Sequence, residues 1–197
     1  MYCLGIAASP RPVSNTTLLL ERALSAAAAA GARTEKVLLR EMQFSPCQAC
    51  EACSRTGQCV LNDDMQQLYE KIIAADRIIL AAPVYSMGMN ALGKAMVDRL
   101  QRFWAIKYVL QQPVIADKNS RPPRKGFFIS CAGTKIKDVF AGAEQVAKYF
   151  FRMAEVEYLS PLLFPGIDEP GAVFNHPDII AKVEKAARTL VAEIPSE

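Results

Sequence analysis

The sequence predicts an α/β protein in which a buried parallel sheet carries helices on both faces. Five short apolar segments alternate with longer stretches of helical periodicity, and this alternation is typical of βαβ units. Segments such as RIILAA and KGFFISCA are almost continuously hydrophobic, as expected of strands that are covered on both sides. With 197 residues and no repeat or linker, the whole chain, residues 1–197, is expected to form a single domain.

Five strands and five helices are expected in alternation. The strands are rich in Val, Ile, Leu and Phe, and they are Tyr2–Ala8, Thr34–Leu39, Arg77–Ala82, Lys125–Cys131 and Val156–Leu163. Apolar residues recur with helical spacing between and after the strands, and Gly31 provides a stop signal for the first helix. The predicted helices are Asn15–Gly31, Asp64–Ala75, Met89–Ile106, Asp138–Met153 and His176–Glu193.

Two long segments match neither pattern and are expected to be loops. Glu41–Asn62 contains four of the six cysteines, and Gln111–Arg124 contains three prolines. Loops of this length in a compact domain usually carry function, although a surface excursion is an equal interpretation of the second one. The stretch FPGIDEPGAVFNHPD is interpreted only as a connection into the last helix.

Charge and targeting signals exclude several classes of partner. The net charge of +3 comes from 23 basic and 20 acidic residues that are mixed along the chain, so no basic stripe indicates nucleic-acid or membrane binding. The first residues, MYCLGIAASPR, lack the features of a signal peptide, and no run of about 18 apolar residues predicts a spanning helix. We therefore expect a cytoplasmic protein, in which clustered cysteines indicate metal or redox chemistry rather than disulfides.

The turn after the first strand, ASPRPVSNTT at residues 8–17, has the composition of a phosphate site. Arg11 supplies a positive charge, and the following helix offers unpaired N–H groups and the positive end of its dipole. The alternative is that Ser14 or Asn15 simply caps the helix, but a cap does not need so many donors. The side-chain donors are Ser9, Ser14, Asn15, Thr16 and Thr17.

Ligands of open α/β sheets bind at the carboxyl ends of the strands, so the loops after strands three and four should line the same crevice. These loops are PVYSMGMNALGKAMVDR from Pro83 and CAGTK from Cys131. Tyr85 is placed to stack beside a flat ring. The backbone N–H groups expected at the polar edge of that ring belong to Ser86, Gly88, Gly133 and Thr134.

The cysteine run CQACEACSRTGQC has the spacing C-x2-C-x2-C-x5-C. Three thiolates on one short loop, closed by a fourth, can hold a 4Fe-4S cluster. Zinc also accepts four thiolates, although usually from two separated pairs, and disulfides are the third alternative. Cys3 and Cys131 fall on core strands and are expected to be buried without a ligand role. The four candidate ligands are Cys47, Cys50, Cys53 and Cys59.

The chain offers little for acid-base or nucleophilic catalysis. Its single histidine, His176, precedes Pro177 and a predicted helix, which favours a capping or surface role. No Ser-His-Asp set and no distinctive carboxylate pair points to hydrolysis, so we assign the chemistry to a bound cofactor. No G-x-G-x-x-G motif follows a predicted strand, and nicotinamide binding therefore stays open.

Taken together, SPRPVSNT, PVYSMGMNALGKAMVDR and the cysteine run resemble the iron–sulfur flavoproteins, within the NADPH-dependent FMN reductase family, over roughly residues 2–160. The resemblance implies a flavodoxin-like three-layer sandwich with a five-stranded parallel sheet of order 2-1-3-4-5 and a cysteine-rich loop, residues 41–62, inserted after strand two. It implies FMN as cofactor. The residues that it assigns to FMN are Ser9, Arg11, Ser14, Asn15 and Thr16, then Pro83, Val84, Tyr85, Ser86, Met87 and Gly88, and finally Ala132, Gly133 and Thr134.

Some positions qualify the resemblance. Ala8 stands where the family often has glycine, and Lys94, Asp98 and Arg99 match a helical K..DR pattern whose role is either ligand contact or helix packing. The cysteine spacing satisfies the family's compact cluster motif and implies a 4Fe-4S centre on the four cysteines. Related reductases retain several of these cysteines without a cluster.

The resulting hypothesis is a redox protein in which FMN and a 4Fe-4S cluster exchange electrons and pass them to a partner protein or a small-molecule acceptor. The resemblance also implies a homodimer or homotetramer in which one subunit's cluster approaches a neighbour's flavin. One alternative is an NAD(P)H-dependent FMN or quinone reductase without a cluster. Another is a non-catalytic binding module whose cysteine loop is pinned by zinc.

Overall fold

The structure is a computed structural model that describes residues 1–116 and 120–192. In chain order the strands are β1 (Tyr2–Ala7), β2 (Arg33–Leu38), β3 (Arg77–Ala81), β4 (Val84–Tyr85), β5 (Gly88–Met89), β6 (Lys125–Ala132), β7 (Glu157–Tyr158) and β8 (Leu162–Pro165). The α-helices are α1 (Asn15–Ala29), α2 (Ala52–Thr56), α3 (Met65–Ala74), α4 (Ala91–Asp98), α5 (Gln101–Trp104), α6 (Ala141–Met153) and α7 (Pro177–Val191). Short 3₁₀ helices form at Leu39–Glu41 and Ala172–Asn175, and a π-helical stretch at Ala105–Val109 continues α5.

The main sheet is parallel and has the order β2-β1-β3-β6, with both β7 and β8 pairing with the far edge of β6. The predicted fold class is confirmed, and the predicted order 2-1-3-4-5 holds except that two short strands share the fifth position. The prediction of one continuous strand, Val156–Leu163, is wrong. Pro161 lies between β7 and β8, and because proline has no N–H to donate to β6, the pairing is interrupted there.

Side chains of the strands alternate between two hydrophobic cores, one on each face of the sheet. In β1, Leu4 and Ile6 belong to the core beneath α3, α4 and α6, whereas Cys3 and Ala7 belong to the core beneath α1 and α7. This period of two is the geometry of a strand that is covered on both faces. Cys3 and Cys131 are both buried, as expected. None of the described helices has the length and hydrophobicity needed to cross a membrane.

Several helix boundaries differ from the predicted ones. The predicted helix Met89–Ile106 is interrupted, because its first residue belongs to the β4–β5 hairpin and its last turns are divided between α5 and the π-helical stretch. Helix α6 begins after Asp138, whose φ of 60° is incompatible with a right-handed helix. Helix α1 ends before Gly31, which adopts a φ of 92° as a stop signal should. Glu193, the predicted last residue of α7, lies outside the described residues.

The segment Gln111–Arg124, of which residues 117–119 lie outside the described residues, ends against the carboxyl end of α3. The buried guanidinium of Arg124 donates hydrogen bonds to the carbonyl oxygens of Ile72, Ala75 and Ala154. These carbonyls include groups that the last turn of α3 leaves without an intrahelical donor. This end of the segment therefore satisfies a helix terminus.

The cysteine segment, residues 41–62, is not wholly irregular, because it contains the one-turn helix α2. Its two flanks are held by Arg99, which follows α4. The Arg99 guanidinium is only 1% exposed and donates to both carboxylate oxygens of Asp63, at 2.6 and 3.0 Å, and to the carbonyl oxygen of Ser45 at 2.8 Å. Asp63 also accepts the N–H of Ser45 at 3.2 Å. One buried ion pair therefore closes the loop that carries all four cysteines.

We predict that Gly126→Ala lowers the free energy of unfolding by about 3 kcal/mol, the upper end for overpacking a core. A methyl group at this position of β6 would press against the carbonyl oxygen of Ile78 and lie 2.6 Å from Cε1 of Phe151. Gly88→Ala is the control, because the nearest atom to a methyl group at that position would be the carbonyl oxygen of Tyr85, at 4.0 Å. Urea unfolding of both variants checks the prediction, and equal stabilities would contradict it.

We predict that Asp63→Asn lowers the free energy of unfolding by about 3 kcal/mol at neutral pH, because it leaves the Arg99 cation buried without its counter-charge. The control is Asp98→Asn, which removes the exposed pair with Lys94 and should change stability by no more than about 0.5 kcal/mol. Urea unfolding at neutral pH compares the two variants.

The same pair predicts a pH dependence. Burial alone would raise the pKa of Asp63, but the hydrogen bonds from Arg99 and from backbone N–H groups outweigh it, and the net pKa is lowered. The stabilisation is therefore complete above the unfolded value of about 3.9 and is lost as the pH falls through the lower folded pKa. The stability gap between wild type and Asp63→Asn should narrow below about pH 4, and a constant gap would contradict this assignment.

Candidate functional site

The loop between β1 and α1 forms the floor of a groove at the carboxyl edge of the sheet. Ser14 occupies the N-cap position of α1 with an extended backbone, but its side chain makes no capping hydrogen bond. Its Oγ instead shares a hydrogen bond of 3.0 Å with Oγ1 of Thr16. The hydroxyl of Thr17 is buried without a hydrogen-bond partner in the described part of the chain. The first-turn N–H groups have no intrahelical acceptors, and Ser14 does not cap them. This end of the helix can therefore bind an anion.

The groove brings together nine of the fourteen residues that the sequence assigns to FMN. Its enclosed part measures about 40 Å³, far below the ~300–1,000 Å³ of pockets that enclose a whole organic ligand. It can therefore take one end of a ligand, such as a phosphate, while the rest lies along the open rim. The nine are Ser9, Arg11, Ser14, Asn15, Thr16, Pro83, Val84, Tyr85 and Gly133, whereas Ser86, Met87, Gly88, Ala132 and Thr134 lie outside the lining.

The loop after β8 forms a wall of the groove that the sequence analysis missed. Ile167, Asp168 and Pro170 line the groove, and Arg11 donates to the carbonyl oxygen of Asp168 at 3.3 Å. The Asn15 amide donates to the carbonyl oxygen of Glu169 at 2.9 Å, so this side chain fastens the wall to α1. The position of this loop at the carboxyl end of the fifth strand was the available signal, because that edge holds the ligand in such sheets.

The β4–β5 hairpin forms an exposed rim beside the groove. Its turn residues Ser86 and Met87 have φ values of 48° and 65°, a left-handed geometry that non-glycine residues seldom adopt. Helix α6 packs closely against this turn, since a methyl group on Gly142 would lie 2.6 Å from the carbonyl oxygen of Met87. Tyr85 and Met87 are exposed at 38% and 46%. The rim therefore presents an aromatic ring and a thioether in a fixed backbone frame.

Asn90 connects the hairpin to the first loop. Its buried side-chain amide donates to the carbonyl oxygen of Ala8 at 2.7 Å, and its own Oδ1 has no hydrogen-bond partner among the described residues. Helix α4 begins directly after Asn90 and ends next to Arg99 at the cysteine segment. One helix therefore runs from the groove to the cysteines.

All four cysteines line one cavity of about 420 Å³. The segment bends around it because Ala49 and Glu51 adopt left-handed backbone angles. Within residues 1–116 and 120–192, however, no three Cys, His, Asp or Glu side chains converge on a point where one metal ion would bind. Zinc would need its thiolates about 2.3 Å from a single centre, a geometry that the described side chains do not show. The cavity that these cysteine residues line is large enough for a multi-atom cluster.

Two arginines share this cavity with the cysteines. Arg99 donates from Nη2 to Sγ of Cys59 at 3.4 Å. Arg102 donates from Nε to the carbonyl oxygen of Gly57 at 2.9 Å and lies over the ring of Tyr69. Burial raises the pKa of the Cys53 thiol, and the neighbouring cysteines raise it further, so the Cys53 thiolate is disfavoured without a bound cation. The donor set and the two cations fit an anionic iron–sulfur centre.

The K..DR pattern serves different purposes at its three positions. Lys94 and Asp98 pair with each other at 2.6 Å on an exposed face, as the interpretation of helix packing expects, while Arg99 is buried against the cysteine segment.

His176 lies at the N-cap of α7 without a side-chain capping bond and lines neither the groove nor the cysteine cavity.

Sequence comparison identifies iron–sulfur flavoproteins as relatives of part of the chain. One from Methanocaldococcus jannaschii is 42% identical over 99 residues, which are 50% of this chain and 51% of that protein. An iron–sulfur flavoprotein of Methanosarcina thermophila is also 42% identical over 99 residues, covering 50% of this chain and 52% of that protein. The matched stretch thus spans about half the length of these curated relatives.

Structural comparison confirms the fold over the full chain. An NAD(P)H:quinone oxidoreductase from Methanothermobacter marburgensis superposes with a TM-score of 0.71 at 18% identity, covering 100% of this chain and 99% of that one. The sequence profile of the NADPH-dependent FMN reductases matches residues 1–135, well over half of the chain. The chain therefore belongs to the NADPH-dependent FMN reductase family, whose members are flavin-dependent oxidoreductases with a flavodoxin-like fold.

Proposed function

We propose that this chain is a redox protein that binds FMN at the groove, holds a 4Fe-4S cluster on its four cysteines, and passes electrons between them. The observation that carries the proposal is that all four cysteines line one cavity together with Arg99 and Arg102, in a member of an FMN reductase family. The names of the relatives at 42% identity, both iron–sulfur flavoproteins, support the same assignment. The electrons then pass to a partner protein or a small-molecule acceptor.

The groove supports FMN binding through its phosphate. Arg11 and the unpaired N–H groups of the first turn of α1 would hold the dianion, and Tyr85 would lie beside the ring on the open rim. Cys47, Cys50, Cys53 and Cys59 would ligate the cluster. When bound, FMN handles two electrons and can release them singly while the cluster carries one, which joins a two-electron donor to a one-electron partner.

The arrangement also favours transfer between subunits, and we propose a homodimer or homotetramer. Cys47 and Cys50 are exposed, so one side of the cavity faces outward. A neighbouring chain could approach the cluster from that side. A cytoplasmic location suits the six free cysteines of the chain.

A second candidate is an NAD(P)H-dependent FMN or quinone reductase without a cluster. It is favoured by the match of residues 1–135 to the profile of the NADPH-dependent FMN reductases. The groove and hairpin would serve the flavin in the same way. The zinc-pinned binding module is the weakest candidate, because the profile of the NADPH-dependent FMN reductases matches residues 1–135.

We predict about four iron, about four acid-labile sulfides and one FMN per chain in protein purified without oxygen. Cys50→Ala should lose most of the iron and sulfide and keep FMN, because Cys50 lines the cavity and not the groove. Cys3→Ala, which removes a buried thiol elsewhere, is the control and should keep all three. FMN without iron and sulfide in the wild type would favour the simple reductase, and zinc without flavin would favour the binding module.

We predict that Arg11→Gln weakens FMN binding about tenfold, or about 1.4 kcal/mol, and leaves riboflavin binding nearly unchanged, because riboflavin lacks the phosphate. Arg22→Gln, at an exposed position of the same α1 region, is the charge-matched control and should bind FMN like the wild type. Quenching of flavin fluorescence during titration measures both constants. Equal losses for FMN and riboflavin would contradict a phosphate site at Arg11.

A further inference from the structure

We propose that Arg99 is a positioning residue that sets the reduction potential of the cluster through its hydrogen bond to Cys59. This inference rests on the cluster that the proposed function assigns to the cavity. It concerns a residue whose role in the K..DR pattern the sequence left undecided. The Arg99 guanidinium is fixed in orientation and contacts one sulfur, and a second arginine of the same cavity lacks this contact.

The orientation of the Arg99 side chain is fixed from two sides. One terminal nitrogen, Nη1, donates to Ser45 and to Asp63, and the other, Nη2, donates to Asp63 at 3.0 Å. This fork-to-fork pairing holds the plane of the guanidinium more rigidly than a single contact would. Tyr69 also donates from its hydroxyl to the Arg99 carbonyl oxygen at 2.9 Å. The backbone and the side chain are therefore both held in place.

The remaining donor direction of Nη2 meets a cysteine. Nη2 lies 3.4 Å from Sγ of Cys59, within the range of an N–H···S hydrogen bond, and the side chain is 1% exposed. Because the guanidinium is almost fully buried, water screens this partly buried contact only in part. The Nε of Arg99 is buried without a hydrogen-bond partner in the described part of the chain. A structural ion pair with Asp63 alone leaves the sulfur contact unexplained.

Hydrogen bonds to ligand sulfurs raise the reduction potential of an iron–sulfur centre. Reduction adds one electron, supplied here by reduced flavin, and no proton, so the negative charge on the sulfurs increases. A fixed N–H donor with a positive charge stabilises that reduced state more than the oxidised one. Burial lowers the pKa of Arg99, but the pairing with Asp63 outweighs it, so the guanidinium stays charged throughout. Arg99 therefore makes the cluster a better electron acceptor.

Arg102 provides an internal comparison. It lines the same cavity, but its Nε donates to the carbonyl oxygen of Gly57, and its guanidinium lies 4.8 Å from the ring centre of Tyr69. It makes no hydrogen bond to a cysteine among the described contacts. Lysine at position 99 or at position 102 keeps the positive charge. Arg99→Lys removes the bond to sulfur together with the two-pronged pairing to Asp63, whereas Arg102→Lys removes no bond to a cysteine. The acidic lining residues Glu51 and Asp98 are unchanged in both.

The test is a dye-mediated redox titration of anaerobically purified, cluster-loaded protein, followed by the EPR signal of the reduced cluster. Arg99→Lys is expected to lower the ratio of reduced to oxidised cluster about tenfold at a fixed ambient potential, which corresponds to about 59 mV for a one-electron couple. Arg102→Lys is expected to leave the ratio within twofold. An unchanged ratio in Arg99→Lys, or equal shifts in both variants, would overturn the inference while leaving the proposed cluster intact.

A measurement on the wild-type chain keeps the inference testable if Arg99→Lys fails to fold or to hold its cluster. Protein labelled with ¹⁵N-arginine is reduced, and hyperfine spectroscopy is used to detect ¹⁵N coupled to the electron spin of the cluster. A coupling that persists in Arg102→Lys supports the bond from Arg99, and its absence overturns the inference. A wild-type chain that contains FMN but neither iron nor sulfide would overturn the proposed cluster and this inference with it.

Discussion

The buried ion pair between Arg99 and Asp63 is the interaction on which the cysteine end of the molecule depends. A segment of about twenty residues with one short helix buries too little apolar surface to hold four thiols around a common cavity by packing alone. Arg99 compensates by binding Ser45 before the cysteines and Asp63 after them. Because the arginine directly follows α4, the loop inherits the position of a helix that packs on the sheet. The cysteine cavity is therefore held in a defined position relative to the hydrophobic core.

The same helix gives the two candidate sites a common frame. At its start Asn90 is bonded to the carbonyl oxygen of Ala8 in the first loop, and at its end Arg99 contacts Cys59. The first contact is buried and the second is partly buried, so a shift of either end of the helix would break a hydrogen bond. A rigid connection of this kind keeps the groove and the cysteine cavity of one chain in a constant relative position. It also implies that the environment of the cysteines is determined by residues outside the cysteine loop.

The fold class was predicted well from the sequence, because the spacing of apolar residues along the chain reflects which side chains are buried. Strands that are apolar throughout, such as Tyr2–Ala7, have few alternatives to the centre of a parallel sheet. Its errors came from local features that periodicity does not detect, namely the interruption at Pro161 and the hairpin at Ser86 and Met87. In the groove, Arg11 and the hydroxyl residues were predicted from the chemistry of a helix N-terminus, whereas Asp168 was missed because it reaches the groove only through tertiary packing. The role of Arg99 required the structure, since its partners lie 36 to 54 residues away in the chain.

The central claim is that FMN and the cysteine-bound cluster of this chain exchange electrons. The most direct test is rapid freeze-quench EPR on anaerobic, fully loaded protein after its flavin has been reduced by a brief light pulse. The account predicts that the signal of the reduced cluster grows as the reduced flavin decays, with matching electron equivalents. A reduced flavin that persists beside an oxidised, EPR-silent cluster, at all protein concentrations, would contradict it.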